Sequence, residues 1–431
     1  MKKTSLIIFS VVLASVAQAQ EIQLKTAVDE ALQFSPVVQR SRANMQDAEW
    51  KKYESYTGFL PTLTGDVNYL LAKKYVQFTT DSGVNINQIL PTTQFLLTGS
   101  LPVFDGFTSL NRFRAGSHLY EAAQNDSDWT EFSVSKETTL LFYRALVAKN
   151  LMDVANQNAH TIEDHYKDVN ALLKAGIATK FDVLRVGVQM NEAEAEVLRT
   201  QDEYDFAKIR LTRTMGKDSD NRTPVGSFPA LTPSLIDGYN AKLNQRKDIV
   251  ALSEQSASLT NVQKANNRFW VPKLSLYGQI QAYNNVNDEF SDWDAYREAY
   301  QMGVNLKWNI FDGMSSISKS KQAKAQATAA QNGVRSASLK ANEDTEIWKR
   351  KFVYFCKLVD VKKNQTQKAE EAVRLAKESV RAGTKTNSDL LDAELDLFKS
   401  RADILNVQMG MIEALINFEL ATGQKIYDFS S

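Results

Sequence analysis

The chain has 431 residues, and its 51 lysines and arginines are balanced by 51 aspartates and glutamates, which leaves no basic surplus to hold nucleic acid. A mean hydropathy of −0.35 argues against a bundle of transmembrane helices. The single cysteine, Cys356, excludes an intrachain disulfide and a thiolate metal cluster.

The first 19 residues predict a secretory signal peptide. Two lysines follow Met1, residues 6–16 form an apolar run, and Ala17-Gln18-Ala19 has the small-x-small order that precedes cleavage. The apolar run is too short to span a bilayer as a mature helix, and no cysteine at the cut site offers a lipid anchor. The pattern indicates a protein exported in a bacterium with an envelope.

The rest of the chain is an internal duplication. Phe104-Asp105-Gly106 recurs 207 positions later as Phe311-Asp312-Gly313, and Ala175-Gly176 recurs at the same offset as Ala382-Gly383. The expected organisation is a first repeat at 20–216, a proline-rich linker at 217–244 and a second repeat at 245–431. Within each repeat we expect a leading helix, then a strand pair (61–104 and 272–311), then a helical hairpin (110–216 and 314–423).

A seven-residue apolar period marks the returning arm of each hairpin. The two rows occupy equivalent positions in the repeats: Val183, Met190, Val197, Tyr204 and Leu211, then Leu390, Leu397, Ile404, Met411 and Phe418. A period of seven predicts helices packed along a coiled-coil seam. The arm before the first turn, from about Ala115 to Leu173, lacks proline and predicts a helix, or a near-continuous pair of helices, about 90 Å long.

The strand pairs show a period of two. Apolar and polar residues alternate along 62–71, 95–103, 273–280 and 301–310, which predicts four strands of about ten residues with one apolar and one polar face each. Aromatic residues lie near the strand ends, where a membrane girdle is expected. These are Tyr69, Tyr75, Phe78, Phe95, Tyr277, Tyr283, Tyr296, Tyr300 and Trp308.

Strands of this length cross a bilayer at the tilt usual in a barrel, but four strands are too few to close a barrel alone. Lipid tolerates no unpaired strand edge, so the chain is expected to associate. Two copies give eight strands with a filled interior, whereas three give twelve strands around a lumen. The polar faces fit the second arrangement better.

The chain resembles the TolC family of outer-membrane efflux ducts. The resemblance lies in the opening pattern Leu24, Ala27-Val28, Ala31-Leu32 and Ser35-Pro36, the paired Pro-x-Leu and Phe-Asp-Gly motifs, and the Ala-Gly-x-x-Thr turns followed by Asp. It implies a homotrimeric α+β membrane protein, with one twelve-stranded barrel in the outer membrane and a tube of long coiled-coil helices in the periplasm. This chain departs from some members in having no lipidated cysteine.

The hairpin turns are the expected functional site. Asp389 and Asp392 stand on one helix face, so a threefold axis would gather them into two carboxylate rings that form a cation-selective periplasmic gate. The resemblance supports this, because the family's tip aspartates match Asp389 and Asp392. Asp182, the repeat equivalent of Asp389, is interpreted either as a helix cap or, with Lys385, as a latch that holds the tips together.

The function that we expect is a passive exit duct of a tripartite efflux machine. The expected partners are a periplasmic adaptor, an inner-membrane pump and outer-membrane lipid. The adaptor is expected to dock on the turns Gly176, Ile177, Ala178 and Thr179 and Gly383, Thr384, Lys385 and Thr386. The alternatives are the duct of a type I protein-secretion system and, more distantly, a periplasmic coiled-coil structural or adaptor protein.

We expect no enzymatic activity, cofactor or metal site. No sequence motif brings together a nucleophile, a base and a group that orients it, and no Gly-rich phosphate loop follows a strand. His118, His160 and His165 are interpreted as surface or packing residues. The energy for transport must then come from the pump.

Overall fold

The computed structural model describes residues 21–72, 76–79, 81–83, 85–88, 91–238, 245–287 and 289–429. Its elements in chain order are β1 (Glu21–Ile22), α1 (Leu24–Phe34), α2 (Pro36–Tyr56), β2 (Thr62–Tyr69), β3 (Val76–Thr79), β4 (Asn85–Gln88), β5 (Thr93–Phe104), α3 (Thr108–Lys174), α4 (Lys180–Thr214), β6 (Thr223–Pro224), α5 (Lys247–Asn266), β7 (Lys273–Asn284), β8 (Tyr296–Lys307), α6 (Ser315–Arg381) and α7 (Asn387–Thr422). The signal-peptide prediction for 1–19, Tyr75 and the Phe78 side chain lie outside this description.

The chain forms two compact units. One unit comprises residues up to 41, 128–246 and 339 onward, and the other comprises 42–127 and 247–338. Across the described residues, none of the helices combines the length and the apolar character needed to cross a membrane.

The unit of 42–127 and 247–338 contains an antiparallel sheet of four long strands in the order β2-β5-β7-β8. The central β5–β7 pair joins the two repeats and runs from Thr93 opposite Asn284 to Phe104 opposite Leu274, with one irregularity beyond Pro102. Among the described strands, β2 and β8 each pair on one side only. A separate β3–β4 hairpin, absent from the sequence prediction, lies between β2 and β5 in the chain.

The register confirms the predicted faces of this sheet. Residues directly opposite each other in an antiparallel pair point to the same side. One side is therefore apolar and well exposed in the chain, with Leu63, Val67, Leu97, Leu101, Leu276, Ile280, Tyr300, Met302, Val304 and Leu306. The other side is polar and forms a hydrogen-bonded row. Gln94 donates to Gln281 at 3.3 Å, Gln279 donates to Thr98 at 3.1 Å, and Gln301 donates to Gln279.

Three strand assignments were wrong. Leu71 lies beyond β2, and Trp308 and Ile310 lie beyond β8, because the alternation of residue types continues past the last backbone pairing. Tyr277 and Tyr283, both expected in the aromatic girdle, lie on the polar face, directly opposite Ser100 and Gln94. The ring of Tyr277 packs over Gly303, where a Cβ atom would approach the phenol oxygen to 3.1 Å.

In the other unit, the helical hairpins follow the heptad prediction. None of the ten predicted seam residues is exposed, and Tyr204, Leu211, Leu390, Met411 and Phe418 are buried. The first arm is a single 67-residue helix, α3, which is longer than predicted at both ends and whose residues before 128 belong to the unit that contains the sheet. A large core cluster includes Phe142, Phe352 and Phe418. A smaller one, nearer the first hairpin turn, includes Ile162, Val169 and Val186.

Candidate gate at the hairpin tips

The two hairpin turns have the same backbone. Gly176 and Gly383 adopt φ of 75° and 72°, the left-handed conformation that ends a helix without the steric cost of a Cβ atom. After α3 the amide of Ile177 donates to the carbonyl of Leu172 at 2.9 Å, and after α6 the amide of Thr384 donates to Ser379 at 2.9 Å. The repeat therefore preserves the hydrogen bonding of each turn as well as its sequence.

The returning helices begin with identical capping boxes. The hydroxyl of Thr179 accepts from the amide of Asp182 at 3.2 Å, and the Asp182 carboxylate accepts from the amide of Thr179 at 2.9 Å. Thr386 and Asp389 repeat this arrangement at 3.3 and 2.9 Å. The hydrogen bonds from the threonine hydroxyl and amide hold the pKa of both aspartates below the ordinary value.

Asp182 and Asp389 therefore share a structural role as caps, which confirms one of the two interpretations of Asp182. Asp389 is exposed at its tip and Asp182 is partly exposed. Among the described residues, no ion pair joins Asp182 to Lys385, and the latch between them stays a prediction. Asp392 points from the face that also carries Asp389, one turn further along α7.

Arg185 makes the contact between the two tips. Its Nη1 donates to the hydroxyl of Ser388 at 2.7 Å, and its Nη2 lies 3.7 Å from Oδ1 of Asp392. The sequence pairs Arg185 with Asp392 as repeat equivalents, but it does not show that they meet in space. The one sequence feature that could have indicated this contact is that the two residues carry opposite charges at equivalent positions of the repeats.

The two tips differ in polarity. The first exposes Ile177, Phe181 and Leu184, which are 74%, 71% and 60% exposed. The second presents Thr384, Lys385 and Thr386, which are also exposed. All the predicted docking residues thus lie at the surface or close to it, but only the first tip offers an apolar patch.

The family profile described as Outer membrane efflux protein matches residues 27–217 and 239–424. These two segments correspond to the two repeats and together cover most of the chain. The chain belongs to the outer membrane efflux protein family. The resemblance drawn from its motifs is thereby confirmed.

Individual relatives of the efflux family are distant. The chain is 20% identical over 334 residues to the alkaline protease secretion protein AprF of Pseudomonas aeruginosa, which covers 75% of this chain and 68% of AprF. It is 23% identical over 312 residues to the outer membrane protein TolC of Vibrio cholerae, which covers 70% of this chain and 71% of that TolC. Its fold matches the outer-membrane channel OprN with a TM-score of 0.80 at 19% identity, over 94% of this chain and 90% of OprN.

A second group of polar residues in this efflux-family chain lies inside the coiled coil, where no sequence pattern indicated it. Glu394 is 6% exposed, and its Oε1 lies 3.5 Å from Nζ of Lys377. His165 is also buried. Neither Oε2 of Glu394 nor Nε2 of His165 has a hydrogen-bond partner in the described structure. Burial raises the pKa of Glu394, against the opposing effect of Lys377, and burial lowers the pKa of His165.

Glu394 and Lys377 also line a cavity of about 220 Å³, with Gln157, Asn158 and Thr161 of α3 on its wall. The cavity is polar and large enough for several waters. The seven-residue pattern does not predict that Glu394 is buried. Glu394 falls between the apolar seam positions Leu390 and Leu397, where a charged residue is expected to be solvated.

Proposed function

We propose that three copies of the chain close one twelve-stranded barrel in the outer membrane, with the polar faces lining a lumen. The four-stranded sheet supports this proposal, because it combines an exposed apolar side with a hydrogen-bonded polar side. Its outer strands β2 and β8 run in opposite directions. The outer edge of β8 is therefore suited to pair antiparallel with β2 of a neighbouring copy.

The helices offer a second argument for association. Ile347, Tyr354, Val361 and Leu375 are exposed along α6 at multiples of seven residues. On α4, Phe181, Val188 and Ile209 are exposed with the same periodicity. Apolar rows with heptad spacing are the surfaces that coiled coils bury, so in the proposed trimer they pack against neighbouring chains to form the helical tube.

The trimer would act as a passive exit duct without enzymatic activity, with its barrel in the outer membrane of a Gram-negative cell and its helices in the periplasm. We place it in a tripartite efflux machine with a periplasmic adaptor and an inner-membrane pump. The membership of the efflux protein family carries this proposal. The adaptor would dock at the tips, with the apolar patch of Ile177, Phe181 and Leu184 as its main contact.

A second candidate is the exit duct of a type I protein-secretion system, favoured by the match to AprF, a protease secretion protein. Deleting the gene and measuring sensitivity to dyes, detergents and antibiotics together with the secreted proteome separates the two. Sensitised cells with an intact secretome support efflux. Loss of a secreted protein without sensitisation supports secretion. If the deletion causes neither sensitisation nor loss of a secreted protein, both candidate functions are contradicted.

We further propose that Asp389 and Asp392 form the narrow periplasmic entrance and make it cation-selective. The hydrogen bonds from Thr386 lower the pKa of Asp389 and so favour its charged form. Replacing Asp389 and Asp392 by Ala should move the reversal potential of single channels in a salt gradient toward that of a non-selective pore. Replacing Arg185 by Ala should increase cation selectivity, because Arg185 lies close to Asp392.

Asp182→Ala is the matched control for the gate, since it removes the same capping carboxylate from the first repeat. Asp182 has Arg185, not an acid, three residues further on. If Asp182→Ala changed selectivity as much as the double replacement, helix capping would explain the effect and the proposed ring would lie elsewhere. Unchanged selectivity in the double variant would also contradict the gate.

A further inference from the structure

A histidine and two glutamates meet between α3 and α5, in the unit that contains the sheet. Nδ1 of His118 lies 2.7 Å from Oε2 of Glu254 and 3.9 Å from Oε2 of Glu121. One ligand atom from each side chain lies within 4.8 Å of the other two. His118 and Glu121 share a face of α3, because they are three residues apart, and Glu254 approaches from α5.

The packing of the two helices fixes this arrangement. The Ser258 hydroxyl donates to the carbonyl of Ala115 at 2.8 Å in a buried contact, and the ammonium group of Lys247 donates to Asn125 at 3.1 Å. Ser258 is one turn after Glu254 on α5, and Ala115 is one turn before His118 on α3. These contacts lie on either side of the cluster, so Glu254 is held opposite His118 by antiparallel helix packing and not only by its own hydrogen bond.

The geometry points to a divalent transition-metal site at His118, Glu121 and Glu254, with Zn²⁺ as the ion that best fits the ligands. Imidazole nitrogen and carboxylate oxygens are zinc ligands, and two carboxylates balance the charge of the ion. Tetrahedral ligands at about 2.0 to 2.1 Å from zinc lie about 3.3 Å apart. The two observed distances from His118, 2.7 and 3.9 Å, bracket that value, and no two of the three ligand atoms are more than 4.8 Å apart, so side-chain rotations would bring them to it.

The partial exposure of the three side chains leaves room for water as a fourth ligand, as at other sites with three protein ligands. Bound metal would link α3 of the first repeat to α5 of the second. Protons compete for the imidazole and the carboxylates, so the site should bind metal more weakly in acid.

The test is calorimetric titration of the purified full-length protein in detergent with ZnCl₂, supported by the absorption spectrum of the Co²⁺ form. One Zn²⁺ per chain should bind saturably. Glu254→Gln, which keeps an acceptor for His118, and Glu121→Gln, at an exposed position, should each weaken binding about tenfold or more. His118→Ala should abolish the tetrahedral Co²⁺ spectrum.

His160→Ala is the matched control. His160 and Glu163 have the same spacing on α3, with Nδ1 and Oε2 3.8 Å apart, but no third metal-ligating side chain in the described part of the chain joins them. This variant should bind zinc like the unmodified protein. Absence of saturable binding, or equal loss of affinity in the His160 and Glu121 variants, would overturn the proposal.

Discussion

The pair of Lys136 and Glu419 is the most enclosed ionic contact among the described residues. Nζ of Lys136 lies 2.6 Å from Oε2 of Glu419, and the two side chains are 6% and 0% exposed. The other oxygen of Glu419 accepts from the amides of Ile426 and Tyr427 at 2.6 and 2.9 Å. One carboxylate thus joins α3 to the segment after α7, so it fixes where the chain runs beyond Gly423.

Lys136→Met should destabilise the protein by about 3 to 5 kcal/mol, because it leaves the buried carboxylate of Glu419 without a counterion. The segment after Gly423 should also become sensitive to protease. Thermal or denaturant unfolding measures the first effect, and mass spectrometry of limited digests measures the second.

The matched control for this pair is Lys167→Met on the same helix. Lys167 pairs with Glu163 at 2.8 Å, but both side chains are about half exposed. Its loss should have little effect on stability, because solvent screens an exposed ion pair. The double variant Lys136→Met with Glu419→Gln removes both charges and should recover part of the stability. If Lys136→Met proved no worse than Lys167→Met, the pair would contribute nothing beyond a surface contact.

At the scale of single residues, the sequence predicts the gate candidates but not their neighbours. Repeat alignment identified Asp182 and Asp389, and the structure adds that both are caps. The sequence does not indicate that Glu254 contacts His118, since the two residues lie 136 positions apart and meet only through helix packing. Patterns of local spacing cannot show a contact that depends on the register between distant helices.

At the scale of elements, periodicity predicted the long helices and strands well, because each buries or exposes a regular face over many residues. The predictions were wrong where that regularity stops. β2 ends at Tyr69 and β8 ends at Lys307 because backbone pairing stops there, and the alternation of apolar and polar residues does not indicate where pairing stops. The β3–β4 hairpin has only four residues per strand, too short for a clear period.

Glu394 makes the coiled coil formed by α3, α6 and α7 sensitive to pH. Its pKa is raised in the folded protein, so the folded state is favoured fully below the unfolded pKa and loses this advantage as pH rises through the raised value. Glu394→Gln should therefore stabilise the protein at pH 7.5, because the neutral amide removes the buried negative charge whose desolvation raises the pKa. At pH 4 the gain should vanish.

Unfolding temperatures measured from pH 4 to 8 test this prediction. Asp396→Asn serves as the control, since Asp396 is exposed on the same helix and its replacement should have only a small effect on stability. A destabilising effect of Glu394→Gln at pH 7.5 would show that the charged pair with Lys377 matters more than the burial of the carboxylate.

At the scale of the whole molecule, the proposed barrel predicts contact between β8 of one copy and β2 of the next. Cysteine at Val67 combined with cysteine at Tyr300, Met302 or Val304 should yield disulfide-linked dimers and trimers in at least one pair, since bridging requires Cα atoms about 4.4 to 6.8 Å apart. Gel electrophoresis without reductant measures the products.

The native thiol does not complicate this experiment. Cys356 is buried, and burial raises the pKa of its thiol to about 11, so it stays protonated and unreactive. Leu97→Cys with Met302→Cys is the control, because Leu97 is on the inner strand β5 and should give no disulfide-linked dimers or trimers. Equal amounts of linked dimer and trimer in the control and test pairs would indicate non-specific aggregation.

The antiparallel order of the sheet limits how such a protein can change during evolution. A chain that contributes an even number of alternating strands presents opposite directions at its two edges, so identical copies can continue the alternation around a ring. Gain or loss of a single strand would bring two parallel edges together and break the pattern. Such proteins should therefore vary in barrel size by whole hairpins, and duplication of a strand pair with its helices, as seen in the two repeats here, is a step that preserves closure.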